Sequence, residues 1–199
     1  GISSTMWGDY DLDGDLDLYV CSHKADDLSQ DAGVVSIGAA DGFVYHDANN
    51  AAANLLLRND ITPTGSWTFT DITVKSGLDI NNRRFSFAAA WEDYDNDGDP
   101  DLYVSNFGTD RFYRNNGNGS FTDITEIAGL GCLLSGTGCA FGDFDSDGQL
   151  DLYVANYITL DLNMPPCYDA LGLRIYCPPP HHPGQADVLY RNNGDGTFS

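Results

Sequence analysis

Apolar residues in this chain fall in short runs of strand length, broken by turns rich in Gly, Asn and Asp. The run Asp-Leu-Tyr-Val occurs at 17–20, 101–104 and 151–154. An apolar segment precedes each: Ser4–Gly8, Ala88–Glu92 and Gly138–Gly142. A third strand ending in Arg-Asn follows: Leu55–Asn59, Arg111–Asn115 and Val188–Asn192. A turn then leads to a fourth, at Trp67–Thr73 and Ser120–Thr125, with a stub at Thr197–Ser199. Asn116-Gly-Asn-Gly119 and Asn193-Gly-Asp-Gly196 are hairpin signals, because these residues tolerate positive φ. The pattern predicts an all-β chain of four-stranded antiparallel units. Such a unit buries its faces only against its neighbours, which points to a β-propeller. A β-sandwich leaves the repetition of one unit unexplained.

The predicted blades are about 1–78, 86–130 and 137–199. Insertions at 22–54 and 158–186 separate the second and third strands of the first and third blades. Strand alternation puts both insertions on one face and the Asp-rich loops on the other. The last residues, Gly196-Thr-Phe-Ser199, stop within a strand, which predicts a longer polypeptide.

Joining strands one and two of each unit are Asp9-Tyr-Asp-Leu-Asp-Gly-Asp-Leu-Asp17, Asp93-Tyr-Asp-Asn-Asp-Gly-Asp-Pro-Asp101 and Asp143-Phe-Asp-Ser-Asp-Gly-Gln-Leu-Asp151. Positions 1, 3, 5 and 9 are carboxylates in all three, and position 6 is Gly. Short carboxylates around a Gly turn form a ring of hard oxygen donors suited to Ca²⁺. The first half matches an EF-hand loop, but no Glu stands at position 12 and a strand follows, not a helix. Without a cation, so many carboxylates at close quarters repel one another. The expected ligands are therefore Asp9, Asp11, Asp13 and Asp17, then Asp93, Asp95, Asp97 and Asp101, then Asp143, Asp145, Asp147 and Asp151.

The chain has 199 residues and a formal charge of −21. Three Ca²⁺ would leave about −15, still strongly acidic, which argues against nucleic acid and anionic membranes as partners. No apolar run is long enough to span a membrane. Among the five cysteines, Cys132 with Cys139 and Cys167 with Cys177 are expected as local disulfides, with Cys21 a buried thiol.

These motifs resemble FG-GAP/VCBS repeats, the blades of integrin α-chain propellers, and more closely the ASPIC/UnbV-type proteins related to cartilage acidic protein. Carrying the resemblance are Gly142-Asp-Phe-Asp-Ser-Asp-Gly148, Asp151-Leu-Tyr-Val-Ala-Asn156, Leu189–Phe198 and Tyr176-Cys-Pro-Pro-Pro180 with Pro183-Gly184. The resemblance implies an extracellular or periplasmic seven-bladed calcium propeller, of which three blades lie here. It also implies that Asp15, Asp99 and Gln149, at position 7, ligate through their carbonyls. The function expected is a calcium-stabilised extracellular or cell-surface structural or interaction module, not an enzyme. A protein or glycan partner is expected on the insertion face, with self-association as a further possibility. The alternatives are a carbohydrate-active propeller such as a polysaccharide lyase, a lectin, and the subunit of an extracellular fibre.

Other residues read as structural. Arg58, Arg114 and Arg191 share a register that suits an Arg fork on a neighbouring Asp or carbonyl. Trp7, Trp91 and Phe141 share another that suits packing between units. His181 and His182 read as a solvated pair, and His23 and His46 form no metal spacing. The sequon at Asn118-Gly-Ser120 lies in a tight turn.

Overall fold

The computed structural model describes residues 1–23, 49, 51–61, 65, 67–131, 133–159, 167–168, 170–175 and 182–199. The described residues are all-β, and every pairing is antiparallel. Strands β1 (Ile2–Gly8), β2 (Asp17–Ser22), β3 (Leu55–Asn59) and β4 (Phe69–Asp71) form one four-stranded sheet in sequence order. The second unit repeats this with β5 (Phe85–Glu92), β6 (Asp101–Thr109), β7 (Arg111–Asn115) and β8 (Phe121–Asp123). The third has β9 (Leu133–Gly142), β10 (Asp151–Asn156) and β13 (Val188–Tyr190), with a single bridge, Asn192 to Phe198, in place of a fourth strand. Within the second insertion, β11 (Cys167–Tyr168) pairs with β12 (Arg174–Ile175), and an Ile158–Gly184 bridge closes its base. The first insertion lies outside the described residues, apart from its ends and Asn49.

Strand four ends in the same device each time. Asp71 Oδ1 accepts from the Thr73 amide and hydroxyl, and Thr73 Oγ in turn accepts the Leu56 amide. Asp123, Thr125 and Phe112 repeat the arrangement. The intervening Ile72 and Ile124 are driven into the core.

Two apolar clusters hold the units together. One places Tyr10, Tyr19, Leu56, Ile72 and Leu78 of the first unit against Leu102, Val104, Tyr113 and Phe121 of the second, with Trp91 packed on it. The other repeats this between the second and third units around Tyr94, Tyr103, Phe112, Leu152, Val154 and Phe198, with Phe141 in the place of Trp91. Along strand two, Leu102 and Val104 face the preceding unit while Tyr103 faces the following one, as period-two alternation requires. The middle strand β6 is buried along almost its whole length because a neighbour covers each side. Gly8 is the contact point for Trp91: a Cβ there would lie 2.7 Å from the indole ring.

Two features differ from the sequence reading. The second and third units are not separate sheets. β6 has no insertion after it and overshoots the start of β7, so Phe107–Thr109 offer a free edge that pairs with Leu133–Ser135 of β9. The second difference concerns Cys132–Cys139. Cys139 is a free thiol packed against the second core cluster. What reads as a Gly/Ser loop is part of β9. At about 3.3 Å per residue, Leu133 and Cys139 stand about 20 Å apart, far beyond the ~4.4–6.8 Å that a disulfide needs between Cα atoms. Cys132 lies outside the described residues, and the free Cys139 thiol is what overturns the expected pair. Cys21 is a buried free thiol, its pKa pushed up to about 11 by burial. The expected Cys167–Cys177 pair involves Cys177, outside the described residues; Cys167 is not among the free thiols.

Asn115 shows how much one side chain contributes to the seam between units. Its Nδ2 donates to Tyr10 O of the preceding unit at 2.8 Å and to Pro100 O at 3.1 Å, and its Oδ1 accepts the Gly117 amide. Asn115→Ala should cost about 2–3 kcal/mol, since buried carbonyls lose their donor. The melting temperature should fall by about 4–12 °C. The neighbouring exposed Asn116→Ala should change it little; equal effects in a thermal melt would contradict this account of the seam.

Candidate metal centre

Each Asp-rich loop is folded by its own carboxylates. Position 4 adopts the left-handed region, with φ of 57° at Leu12, 59° at Asn96 and 62° at Ser146. Position 6 follows at 94°, 97° and 88° at Gly14, Gly98 and Gly148, a conformation that Gly alone adopts freely. The position 1 carboxylate holds this turn: Asp9, Asp93 and Asp143 Oδ2 accept the amides of Gly14, Gly98 and Gly148 at 3.1, 2.9 and 3.0 Å. Position 5 holds the exit, as Asp13, Asp97 and Asp147 Oδ1 accept the position 7 amides.

Position 9 is the most constrained group in the loop. Asp17, Asp101 and Asp151 are all buried. One oxygen of each accepts the position 2 amide (Tyr10, Tyr94, Phe144) at 3.0–3.3 Å. The other accepts the amide of the Asn that ends strand three (Asn59, Asn115, Asn192) at 2.8 Å. One carboxylate thus ties the loop, strand two and strand three together.

The structure gathers Asp9, Asp11 and Asp13 in the first loop, Asp93, Asp95 and Asp101 in the second, and Asp143, Asp145 and Asp151 in the third. In each group the oxygens lie within 4.8 Å of one another. That is the widest separation for two oxygens each about 2.4 Å from a shared ion, the Ca²⁺–oxygen distance. Asp17, Asp97 and Asp147 stand outside these groups. Position 7 side chains turn away from the loop: Asp99 lies over Gly117 and Gln149 over Gly194 in the Asn-Gly hairpins. The donor set is all oxygen, with no nitrogen or sulfur, which fits a hard cation. In the first loop, Asp9 Oδ1 is sealed from solvent and accepts no hydrogen bond from any described residue.

Electrostatics add to this. Burial raises Asp17 to about 6 and Asp101 to about 8 against the donors that oppose it. Burial and then Asp13 and Asp9 raise Asp11; burial, Asp97 and Asp93 raise Asp95, while Arg114 draws it down. Of the three arginines in register, Arg58 pairs with Asp60 at 2.8 Å. Arg191 reaches into its own loop, to Asp145 at 2.7 Å and Asp147 at 2.8 Å.

Sequence reasoning missed the Asn that closes strand three. Asn115 and Asn192 each donate to the position 2 carbonyl of the preceding unit's loop, Tyr10 O and Tyr94 O. Its signal was available, because Asn59, Asn115 and Asn192 recur as strictly as the Asp register. Of the histidines, His23 packs edge-on to Phe87 with centroids 4.5 Å apart, a structural contact. His46 and His181 lie outside the described residues. Asn118 Oδ1 accepts the Ser120 amide and hydroxyl, holding the hairpin at the sequon.

Residues 93–154 match the sequence profile of the FG-GAP-like repeat. The match begins at position 1 of the second loop and ends at the last residue of the Asp-Leu-Tyr-Val run after the third, so it contains two of the three carboxylate clusters. The chain therefore carries an FG-GAP-like repeat. No curated protein shows significant similarity to the chain.

Raised carboxyl pKa values have a definite sign. Between the unfolded value near 4 and the folded values of about 6 and 8, the folded state of the metal-free protein binds more protons than the unfolded chain. The stability contributed by protonated Asp17 and Asp101 is present below about pH 4 and lost by about pH 8. Buried Asp110, raised to about 7, adds a component of the same sign away from the loops. In a chelator, denaturant midpoints should fall as pH rises through this window, and the fall should be shallower in calcium. A midpoint that rises with pH in chelator would contradict the assignment.

Proposed function

We propose that this chain is part of a calcium-stabilised β-propeller that serves as an extracellular structural or interaction module. The observation that carries the proposal is the coincidence, in three units, of an oxygen cluster of calcium dimensions with a buried carboxylate that fixes strand three. Ca²⁺ supplies the positive charge that lets these carboxylates stay ionised together. Positions 1 and 3 hold it in every loop, joined by Asp13 in the first and by Asp101 and Asp151 in the others. Position 7 adds its carbonyl in Asp15, Asp99 and Gln149. The blade arrangement follows from repeated four-stranded units whose opposite faces meet in two equivalent cores.

The surroundings this implies are calcium-rich, outside the cell or at its surface. FG-GAP-like repeats are typical of such proteins, and no described helix is long and apolar enough to cross a membrane. Partner recognition falls to the long connections between strands two and three, because the metal loops are committed to folding. A protein or glycan is the partner class, and no catalytic role is assigned.

Titration calorimetry on chelator-stripped protein should return three calcium sites, with affinities in the ~10⁻⁴ to 10⁻³ M range of extracellular modules. At ten times the dissociation constant each site adds about 1.4 kcal/mol. Removing three then lowers the melting temperature by on the order of 10 °C. Fewer than two sites, or a melting temperature unchanged by chelation, would refute the proposal.

A further inference from the structure

Three Asn-Gly peptides occur in this chain: Asn116-Gly117, Asn118-Gly119 and Asn193-Gly194. All lie in the turns that follow strand three, and all three Asn residues are exposed. An Asn before Gly is open to attack by its own backbone. Gly has no side chain to keep its amide nitrogen from the Asn side-chain carbon. The chain holds the two atoms together at high effective concentration. What separates the three sites is how each turn holds the reacting groups.

At Asn116 and Asn193 the attacking amide is occupied. Gly117 N donates to Asn115 Oδ1 at 3.1 Å, and Gly194 N donates to Asn192 Oδ1 at 2.9 Å. The amino group that would leave is held as well. Asn116 Nδ2 donates to Ser120 Oγ and Asn193 Nδ2 to Thr197 Oγ1, each at 3.0 Å. Their side-chain carbonyls accept one hydroxyl apiece, from Thr122 at 3.1 Å and Ser199 at 2.9 Å. Asn118 is arranged the other way. Its Oδ1 accepts two donors, the Ser120 amide at 3.1 Å and the Ser120 hydroxyl at 2.6 Å. Among the described residues, neither its Nδ2 nor the Gly119 amide makes a hydrogen bond. Two donors on one carbonyl oxygen draw charge from the carbon and meet the oxyanion that attack creates, as an oxyanion hole does.

We propose that Asn118 is a site of spontaneous modification, at which the Gly119 nitrogen closes on the side-chain carbon and the amide becomes a carboxylate. The bond from Gly119 N to Asn118 Cγ forms as the Cγ–Nδ2 bond breaks, and the Gly119 amide proton leaves with Nδ2 as ammonia. Water then opens the cyclic imide, at one carbonyl to give Asp and at the other to give isoaspartate. Water is the only co-reactant. The third unit shows that this turn accepts the Asp product. Its counterpart to Asn118 is Asp195, whose Oδ1 accepts the Thr197 amide at 3.1 Å and hydroxyl at 2.6 Å. Modification therefore makes the second turn a chemical copy of the third. It also places a negative charge at a cavity of about 220 Å³ between the first and second units, which Asn118 lines together with Lys75 and Asp99. The proposal is independent of the metal reading, because no cluster carboxylate takes part.

Folded protein incubated in calcium at mildly alkaline pH, then digested and mapped by fragmentation mass spectrometry, should show the amide-to-acid mass gain first at Asn118. In water enriched in heavy oxygen, the new acid should carry the label that ring opening inserts. Asn116 and Asn193 should lag by roughly tenfold, and denaturant should erase the difference, because the unfolded chain holds none of these contacts. Ser120→Ala deletes one of the two donors and should slow Asn118 by roughly tenfold, less than the ~10²–10³ an enzyme loses with one such donor. Ser120→Thr keeps the hydroxyl and should keep the rate. Equal rates at the three sites in folded protein would overturn the proposal. So would an Asn118 that persists while the denatured sample converts, or a Ser120→Ala variant that melts as the wild type does and converts as fast.

Discussion

The structure depends on a buried carboxylate with both oxygens engaged by backbone amides. Asp17, Asp101 and Asp151 each accept one amide from the loop before them and one from the end of strand three. Charge-assisted bonds to amides favour the ionised form, while burial among other carboxylates opposes it. In Asp17 and Asp101, burial is the larger effect. A divalent cation bound among the neighbouring oxygens, as proposed, would reverse the balance. In the second and third units metal binding and strand pairing would then be one equilibrium, because Asp101 and Asp151 belong both to the oxygen cluster and to the strand-three contact.

That lock sets the position of everything around it. By fixing strand three against the loop, it places the terminal Asn where its amide can reach the preceding unit's loop. It also orients the position 2 aromatic toward the following unit, where Tyr10 and Tyr94 become the centres of the two cores. Stability of this array is a sum of units and the seams between them, as in other repeat proteins. The β6–β9 pairing adds backbone bonds to the second seam, and among the described residues no strand pairing links β1–β4 to β5–β8.

The strand order within each unit was legible in the sequence because alternation and turn chemistry are local signals. So was the loop, since the Asp-Gly register is dictated by donor geometry. Three things were not legible. The overshoot of β6 is tertiary: Phe107–Thr109 carry no local mark that they will pair with β9. The stretch from Ser135 to Gly138 reads as a flexible loop, yet Gly136 is there because a Cβ would lie 2.3 Å from Ser105 Oγ. The choice of Asp13 in one loop, and of Asp101 or Asp151 in the others, depends on side-chain torsions that spacing does not specify. Asn115 went unweighted because a lone Asn after a strand suggests a turn, whereas its partners lie 105 and 15 residues away.

The central claim is that one carboxylate couples the metal loop to strand three. Amide hydrogen exchange measures this directly in the second and third units, where position 9 joins the oxygen cluster, at Tyr94 and Phe144 on the loop side and Asn115 and Asn192 on the strand side. Within each of these two units, the account predicts that calcium slows exchange at the two amides together and by the same factor. Protection that rises at the loop amide alone, leaving the strand-three Asn unchanged, would contradict it.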